Sequence, residues 1–420
     1  MHKSRVIEIN INQLIIATFC CYAFSMPFEL LLEIGFNIKT IFKPFRIFSI
    51  LIIGLYMLKV VKEGLYIDTS YKADWLFYGV FLYGLLISCI KMISDIFDMS
   101  LFFNDAFQSG LHLATFFIYK NTPVSKKQQL LILKFFIAGI CINAFYIFGL
   151  FTYYQRGRHS GFTDNPNYAA LGIVVAVAYF FLKLIYTEKP IFQIGYLIPV
   201  LFLAGVSSFT GSRTGFIMLL ILCLFLFAFS SIWQKITLVL FISFTAIVII
   251  PQLDSETFKG ATLLSKRLDR TIGGEEDVRL VVWRGVFKTL EKEGYEGMGI
   301  GQFKAKFPRY FNNEPNQLIV AMVAYGYHLS PHNDYLAILA DYGLPSLFLY
   351  LLFLATMLMK LFKRAIGYSD DQEEKMLAQF SFLVFLCLIL FGMASENFQH
   401  QLYWFLLMFT TKRTCERQFS

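Results

Sequence analysis

Charged residues are scarce in this sequence. Asp, Glu, Lys and Arg make up 16% of its 420 residues, where a soluble globular chain carries about 25%. A soluble protein of this length would spread over two or three domains with a charged exterior, and the composition excludes it. Also missing are the alternating segments of about ten residues that mark a membrane β-barrel. Of the cysteines, Cys20, Cys21, Cys89, Cys141, Cys223 and Cys387 lie in apolar runs and Cys415 in the C-terminal tail. That arrangement gives neither a loop disulfide framework nor a zinc cluster. There is no H-E-x-x-H, no G-x-x-x-x-G-K-[ST] and no clustered Cys/His set, so the zincin and P-loop classes fall away. The glycine-rich Gly297-Met298-Gly299-Ile300-Gly301 segment lacks both the P-loop lysine and a preceding strand, and reads as a turn near the membrane surface. Gly/Ser linkers, low-complexity tracts and internal repeats are absent as well.

What remains is apolar, 57% hydrophobic with a mean hydropathy of +0.58. Runs of about 20 apolar residues, long enough to cross about 30 Å of hydrocarbon, recur along the chain. They predict an all-α polytopic membrane protein with about 12 transmembrane helices. The expected spans are Ile11–Ile34, Phe45–Val61, Trp75–Ile93, Leu101–Tyr119, Leu130–Tyr153 and Tyr168–Tyr186. They continue with Ile191–Phe209, Gly215–Ile232, Ile236–Ile250, Leu344–Phe362, Ala378–Met393 and Leu402–Thr411. Ala23-Phe24-Ser25 looks like a signal-peptidase site, but hydrophobicity runs past it, so the first span reads as a retained anchor. Glu29 and Glu33 fall four apart on one face of that span, near its end.

The net charge of +8 comes from basic clusters between spans. These act as topology signals under the positive-inside rule, not as a nucleic-acid surface. With the N-terminus inside, the even-numbered loops carry Lys59, Lys62, Lys120, Lys126, Lys127, Lys189, Lys235, Lys360, Lys363 and Arg364, and the tail carries Lys412, Arg413 and Arg417. One loop breaks the pattern, because Lys39, Lys43 and Arg46 fall outside. Three divisions follow: an N-terminal bundle over 1–250, a large outward helical loop over 251–343 between the ninth and tenth spans, and C-terminal spans with a cytoplasmic tail over 344–420.

Unusual chemistry collects on the outward side. The Gln155–Asn167 loop holds Arg156, Arg158, His159 and the Asn165-Pro166-Asn167 turn. Arg213 sits between two apolar spans with small neighbours, Gly211, Ser212 and Gly215, that let a ligand approach the backbone. An arginine at such an interface is suited to bidentate phosphate binding. In the large loop, Arg279 and Arg284 lie five apart on an expected helix, so at most one faces the site of Arg213. At the loop's exit, Ser330 is a candidate N-cap with Pro331 at the first helical position. His332 then falls in the first turn, where the helix dipole favours its neutral form. Asp334 follows and reads first as a solvated helix acid, with orientation of polar neighbours as the alternative, and Gly343 and Pro345 interrupt the helix.

From about Arg156 to Asn397 the chain resembles the O-antigen ligase and polymerase superfamily of bacterial envelope glycosyltransferases. The resemblance rests on the Asn165-Pro166-Asn167 turn, the Ser212-Arg213-Thr214 turn, the Arg279 segment, and Pro331-His332-Asn333-Asp334-Tyr335-Leu336 with Gly343 after it. It implies a GT-C-like membrane enzyme of the bacterial inner membrane, multi-pass, with a periplasmic active site. Arg213 and Arg279 would hold the pyrophosphate of an undecaprenyl-linked glycan donor, and His332 would act on the acceptor. Supporting positions are Asn165, Asn167, Arg284, His328, Ser330, Asn333 and Asp334. Relatives often carry a second histidine two residues before the catalytic one. Here Ser330 stands there, with His328 further upstream. The implied reaction is inverting transfer to lipid A–core, as in an O-antigen ligase, without cofactor, metal or ATP. The alternative is a polysaccharide polymerase joining lipid-linked repeats. A third reading, a transporter or flippase of lipid-linked glycans, would need mid-membrane charges and two related halves. Glu29, Glu33, Lys91 and Lys183 lie in or near spans, but no repeat is present.

Overall fold

The computed structural model describes residues 10–36, 43–68, 72–93, 97–149, 154–155, 158–230, a few positions between 232 and 243, 278–311, 330–395 and 398–412. The first half is built from α1 (Ile11–Ser25), α2 (Leu31–Phe36), α3 (Pro44–Glu63), α4 (Asp74–Lys91), α5 (Met99–Asn121) and α6 (Lys126–Phe148). A two-residue antiparallel ladder, β1 (Tyr154–Gln155) and β2 (Arg158–His159), precedes α7 (Pro166–Tyr186), α8 (Pro190–Phe209) and α9 (Arg213–Phe229). The large loop contributes α10 (Val278–Glu293) and α11 (Gln302–Phe311). The chain then returns through α12 (Asp334–Ala337), a wide turn at Ile338–Tyr342, α13 (Gly343–Ile366), α14 (Gln372–Gly392) and α15 (Gln401–Thr410).

Helix starts follow local chemistry. Ser125 and Gln128 form a reciprocal capping box at the head of α6, satisfying two backbone donors that the helix leaves over. Asn165 accepts from the Asn167 N–H and Pro166 fills the first position of α7, where a missing N–H costs nothing. Among the described residues, seven helical runs are long and apolar enough to cross a membrane, with Ile11–Ser25, Arg213–Phe227 and Gln401–Thr410 as shorter apolar helices. The protein is therefore a multi-pass helical membrane protein. The expected span at Ile236–Ile250 lies almost wholly outside the described residues, as do all of 251–277 and all of 312–329.

The first expected span needs correction. Ile11–Ile34 is not one helix: Pro27 follows the end of α1, and Leu30 N–H donates instead to the Phe162 carbonyl at 2.8 Å. Glu29 therefore sits in a buried turn and Glu33 on the exposed side of α2, so the two do not share a helix face. α5, interrupted by the polar Gln108 and His112, is not among the seven helices long and apolar enough to cross a membrane. Both point inward: Gln108 donates to the Gln399 carbonyl, and the His112 ring stacks between Phe45 and Trp404.

The bundle is centred on α7, which packs on α6, α8, α9 and α14. Gly215 lets α9 close on it, since a Cβ there would lie 2.6 Å from the Ala170 Cβ. At the end where the topology expectation puts the cytoplasm, Lys120 pairs with Asp74 at 3.1 Å and is almost fully buried. Lys412 donates to the carbonyls of Tyr119, Lys120 and Thr122 at 3.0, 2.7 and 2.8 Å. It thereby caps the C-terminus of α5. Neither lysine is the solvated loop charge that the sequence suggests.

A second, smaller core joins the loop helices to the membrane bundle. Val281, Val282, Val286 and Leu290 of α10 meet Phe303 and Phe307 of α11, and both pack on Leu339 and Ala340 of the wide turn. This turn opens two helical carbonyls. Met298 N–H donates to the Ala340 carbonyl and Gly299 N–H to that of Asp341, each at 2.9 Å. Gly343 breaks helical geometry as expected, at φ 84° and ψ 171°. A Cβ there would come within 2.1 Å of the Glu296 carbonyl oxygen, so only glycine lets the 294–301 segment lie flat against the turn.

Candidate active site

One end of the bundle gathers the N-termini of α7, α9, α12 and α15. The Arg213 turn is fixed first. Ser212 caps α9 through the Gly215 N–H and donates its own hydroxyl to Asn167 Oδ1 at 2.9 Å. The same Asn167 oxygen accepts from the Arg158 guanidinium at 2.7 Å, and Arg158 Nε donates to the Thr210 carbonyl at 2.8 Å. Asn165 and Asn167 thus tie the 158–167 loop to the turn bearing Arg213. Arg213, half-buried, occupies the first position of α9, where backbone N–H groups converge on an anion.

His332 is exposed, but its local setting differs from the sequence expectation. The helix is capped by Asn333, whose Oδ1 accepts from Leu336 N–H at 3.1 Å, and not by Ser330. Pro331 is not the first helical residue, and His332 stands before the cap. The dipole argument for a neutral imidazole therefore lapses. His332 instead adopts φ 48°, a left-handed conformation that costs about 1–2 kcal/mol in a residue with a Cβ. Two contacts hold the peptide between Pro331 and His332. Trp283 Nε1 donates to the Pro331 carbonyl at 2.8 Å, and His332 N–H donates to Ser330 Oγ at 3.4 Å.

Trp283 connects that turn to the arginine helix. Arg279 and Trp283 are four apart in α10, so they share a face. Arg284 lies about 140° around the helix from Arg279 at 100° per residue, and it is exposed while Arg279 is half-buried. Helix geometry therefore aims Arg279, of the two, toward the His332 turn. His328 lies outside the described residues.

Below His332 the helix is anchored on the turn between α14 and α15. Asn333 Nδ2 donates to the Met393 carbonyl at 3.1 Å. Asp334 is not the solvated helix acid that the sequence suggests: it is fully buried and accepts from Phe398 N–H at 3.1 Å. Its role is to hold this turn in place. Gln399 of the same turn bridges Asp105 and Lys304, joining α5 to α11.

Beside this turn lies a cluster that sequence reasoning missed as a unit. His400 Nε2 is 3.1 Å from Glu29 Oε1 and 3.7 Å from Asp164 Oδ1, while Lys43 Nζ is 2.9 Å from Asp164 Oδ2. Asp164 N–H donates to Glu29 Oε2 at 2.9 Å. Lys43, in the loop that breaks the charge-parity pattern, thus has an acidic partner. Burial pushes the Asp164 carboxyl up, but its contacts with His400 and Glu29, with the charge of Lys43, hold it well below the usual range. Glu29, Asp164 and His400 are also the one group of described residues whose donor atoms lie close enough for a metal ion. Their chemistry fits an ion network better. Lys43 already supplies positive charge, and His400 Nδ1 accepts from Leu402 N–H at 3.3 Å. That assigns the proton to Nε2 and leaves no lone pair there for a cation.

The residues with a sequence signal for chemistry therefore form two groups at one end: Asn165, Asn167 and Arg213 in one, and Arg279, Ser330, His332, Asn333 and Asp334 in the other. In the second, Trp283, which the sequence did not single out, ties the helix of Arg279 to the His332 turn. Residues 198–351, from α8 into α13, match the family model described as O-antigen ligase. The match takes in Arg213, Arg279, Arg284 and His332. No curated protein matches the chain.

Proposed function

We propose that this chain is an O-antigen ligase, a reading supported by the match of residues 198–351 to the family model described as O-antigen ligase. It works in the bacterial inner membrane with its site on the periplasmic face, and it moves a glycan from undecaprenyl pyrophosphate to lipid A–core. The acceptor hydroxyl attacks the anomeric carbon of the donor sugar, and the bond from that carbon to the pyrophosphate oxygen breaks. Undecaprenyl pyrophosphate leaves with the electron pair. The hydroxyl proton passes to His332 as general base, and attack opposite the leaving group inverts the anomeric centre. Arg213 at the head of α9 and Arg279 on α10 neutralise the charge that grows on the pyrophosphate. The polyprenyl tail lies among the lipid-facing helices.

The observation that carries this reading is the pairing of α10 with the His332 turn through Trp283 and Pro331. It brings the proposed base against the helix that bears a proposed leaving-group arginine. A polymerase needs the same donor grip and the same base, so the acceptor decides between the two. Lipopolysaccharide from a strain lacking the gene separates them: bare core is expected, whereas core with a single repeat would make the protein a polymerase. Purified protein should transfer the glycan from lipid-linked donor without added ATP or metal. Full transfer by a well-folded His332→Ala protein would remove His332 as the base.

A further inference from the structure

The peptide bond between Pro331 and His332 is gripped at both ends. Its carbonyl accepts from the indole N–H of Trp283, on a helix 48 positions earlier, and its N–H meets the Ser330 hydroxyl one residue further back. Such a grip fixes the orientation of the peptide plane and, with it, the backbone torsion on which the His332 side chain is mounted. That torsion is left-handed at φ 48°, and His332 is the one non-glycine residue with positive φ among the described residues. A side chain on an exposed turn would ordinarily relax toward the right-handed or extended regions. Here a distant aromatic donor and a local hydroxyl oppose that relaxation.

We propose that Trp283 and Ser330 are positioning residues that act through His332: together they clamp one peptide plane and so aim the imidazole at the acceptor. This inference rests on the reading of His332 as the base. Neither side chain needs to touch substrate. The clamp also explains why a serine serves at the position where relatives of this superfamily often carry a second histidine. The Ser330 hydroxyl accepts from the His332 N–H at 3.4 Å, so the position contributes to aim and not to proton transfer. Because Trp283 shares its helix face with Arg279, the same bond sets the separation between leaving-group charge and base.

The test uses the full-length protein in detergent or nanodiscs, with undecaprenyl-pyrophosphate-linked repeat as donor and lipid A–core as acceptor. Trp283→Phe keeps the ring and deletes the N–H. A loss of aim should lower kcat about ten-fold or more, with the KM for donor unchanged. Ser330→Ala should lower kcat by about three-fold, as befits one long hydrogen bond, and Ser330→Thr should restore it. In the His332→Ala background, Trp283→Phe should cause no further loss, since there is then nothing left to aim. Wild-type kcat in Trp283→Phe, alongside an inactive His332→Ala, would overturn the clamp while leaving the base intact. A rise in donor KM with unchanged kcat would likewise overturn it, assigning Trp283 to the packing of α10. Activity in His332→Ala itself would instead remove the underlying reading.

Discussion

His400 Nε2 lies 3.1 Å from Glu29 Oε1, and this contact joins the turn before the last described helix to the turn after the first. Both side chains are almost fully buried, and the His400 ring stacks on Tyr168 at the start of α7. Three segments far apart in sequence therefore meet at the end of the bundle that carries the candidate site. The α14–α15 turn that His400 terminates is the one on which Asn333 and Asp334 rest.

Breaking that contact should weaken the whole fold. Removing one member of a buried polar pair leaves its partner uncompensated, at a cost of about 1–3 kcal/mol. Glu29→Gln and His400→Ala should each lower the thermal midpoint in detergent substantially. The double variant should lose much less than the two effects combined. Full additivity would mean that the two residues act independently.

Asp164 gives the cluster a defined response to pH. Its folded pKa lies below the ordinary carboxylate range, so its contribution is complete above about 3.9 and disappears only as pH falls through the lower folded value. The side chain is 36% exposed, so solvent screening limits that contribution to about 1 kcal/mol. The stability gap between wild type and Asp164→Asn should stay level from pH 7 to 5 and narrow only in stronger acid. A gap that closes already between pH 7 and 5 would contradict the assignment.

Gly343→Ala should be among the most damaging single-methyl changes in the chain. The backbone there is left-handed, and the new Cβ would fall 2.1 Å from the Glu296 carbonyl oxygen. Gly110→Ala, where nothing lies within 4 Å of an added Cβ, is the matched control. Comparing yields of monodisperse protein after detergent extraction checks this, with recovery near wild type for the control alone.

Arg279 and Arg284 should separate in activity. Arg279→Ala is expected to lower kcat by about 10²–10³, the scale seen when a donor to developing transition-state charge is removed. Arg284 points about 140° away on the helix, and its alanine variant should transfer glycan at close to the wild-type rate. Equal losses would place both arginines on the donor.

Much of the bundle is legible in the sequence, because apolar length and cap chemistry are local. Pro166 and Pro190 sit where a proline belongs at a helix start, and the runs behind them form α7 and α8. The failures have physical causes. Hydrophobicity continues past Pro27 and hid the break after α1, although the proline itself was the signal. Ser330 and Asn333 both carry cap chemistry within four residues. Asn333 won because the Pro331 carbonyl is drawn toward Trp283, a contact across 48 positions that no local rule contains. Lys120 and Lys412 read as loop charges, but each finds buried acceptors on a helix end distant in sequence. At the candidate site, the residue types were legible. Their partners, and hence which arginine shares a face with the base, required the fold.

The wide turn at Ile338–Tyr342 bears on how the protein is assembled. Its Ala340 and Asp341 carbonyls have their partners in Met298 and Gly299, each 42 positions earlier in the chain. If the helix entered lipid alone, two carbonyls would face hydrocarbon without hydrogen bonds, at several kcal/mol apiece. The 294–301 segment therefore supplies hydrogen bonds that this helix cannot make by itself. Settling of the apolar helix in lipid and docking of that segment are thereby coupled.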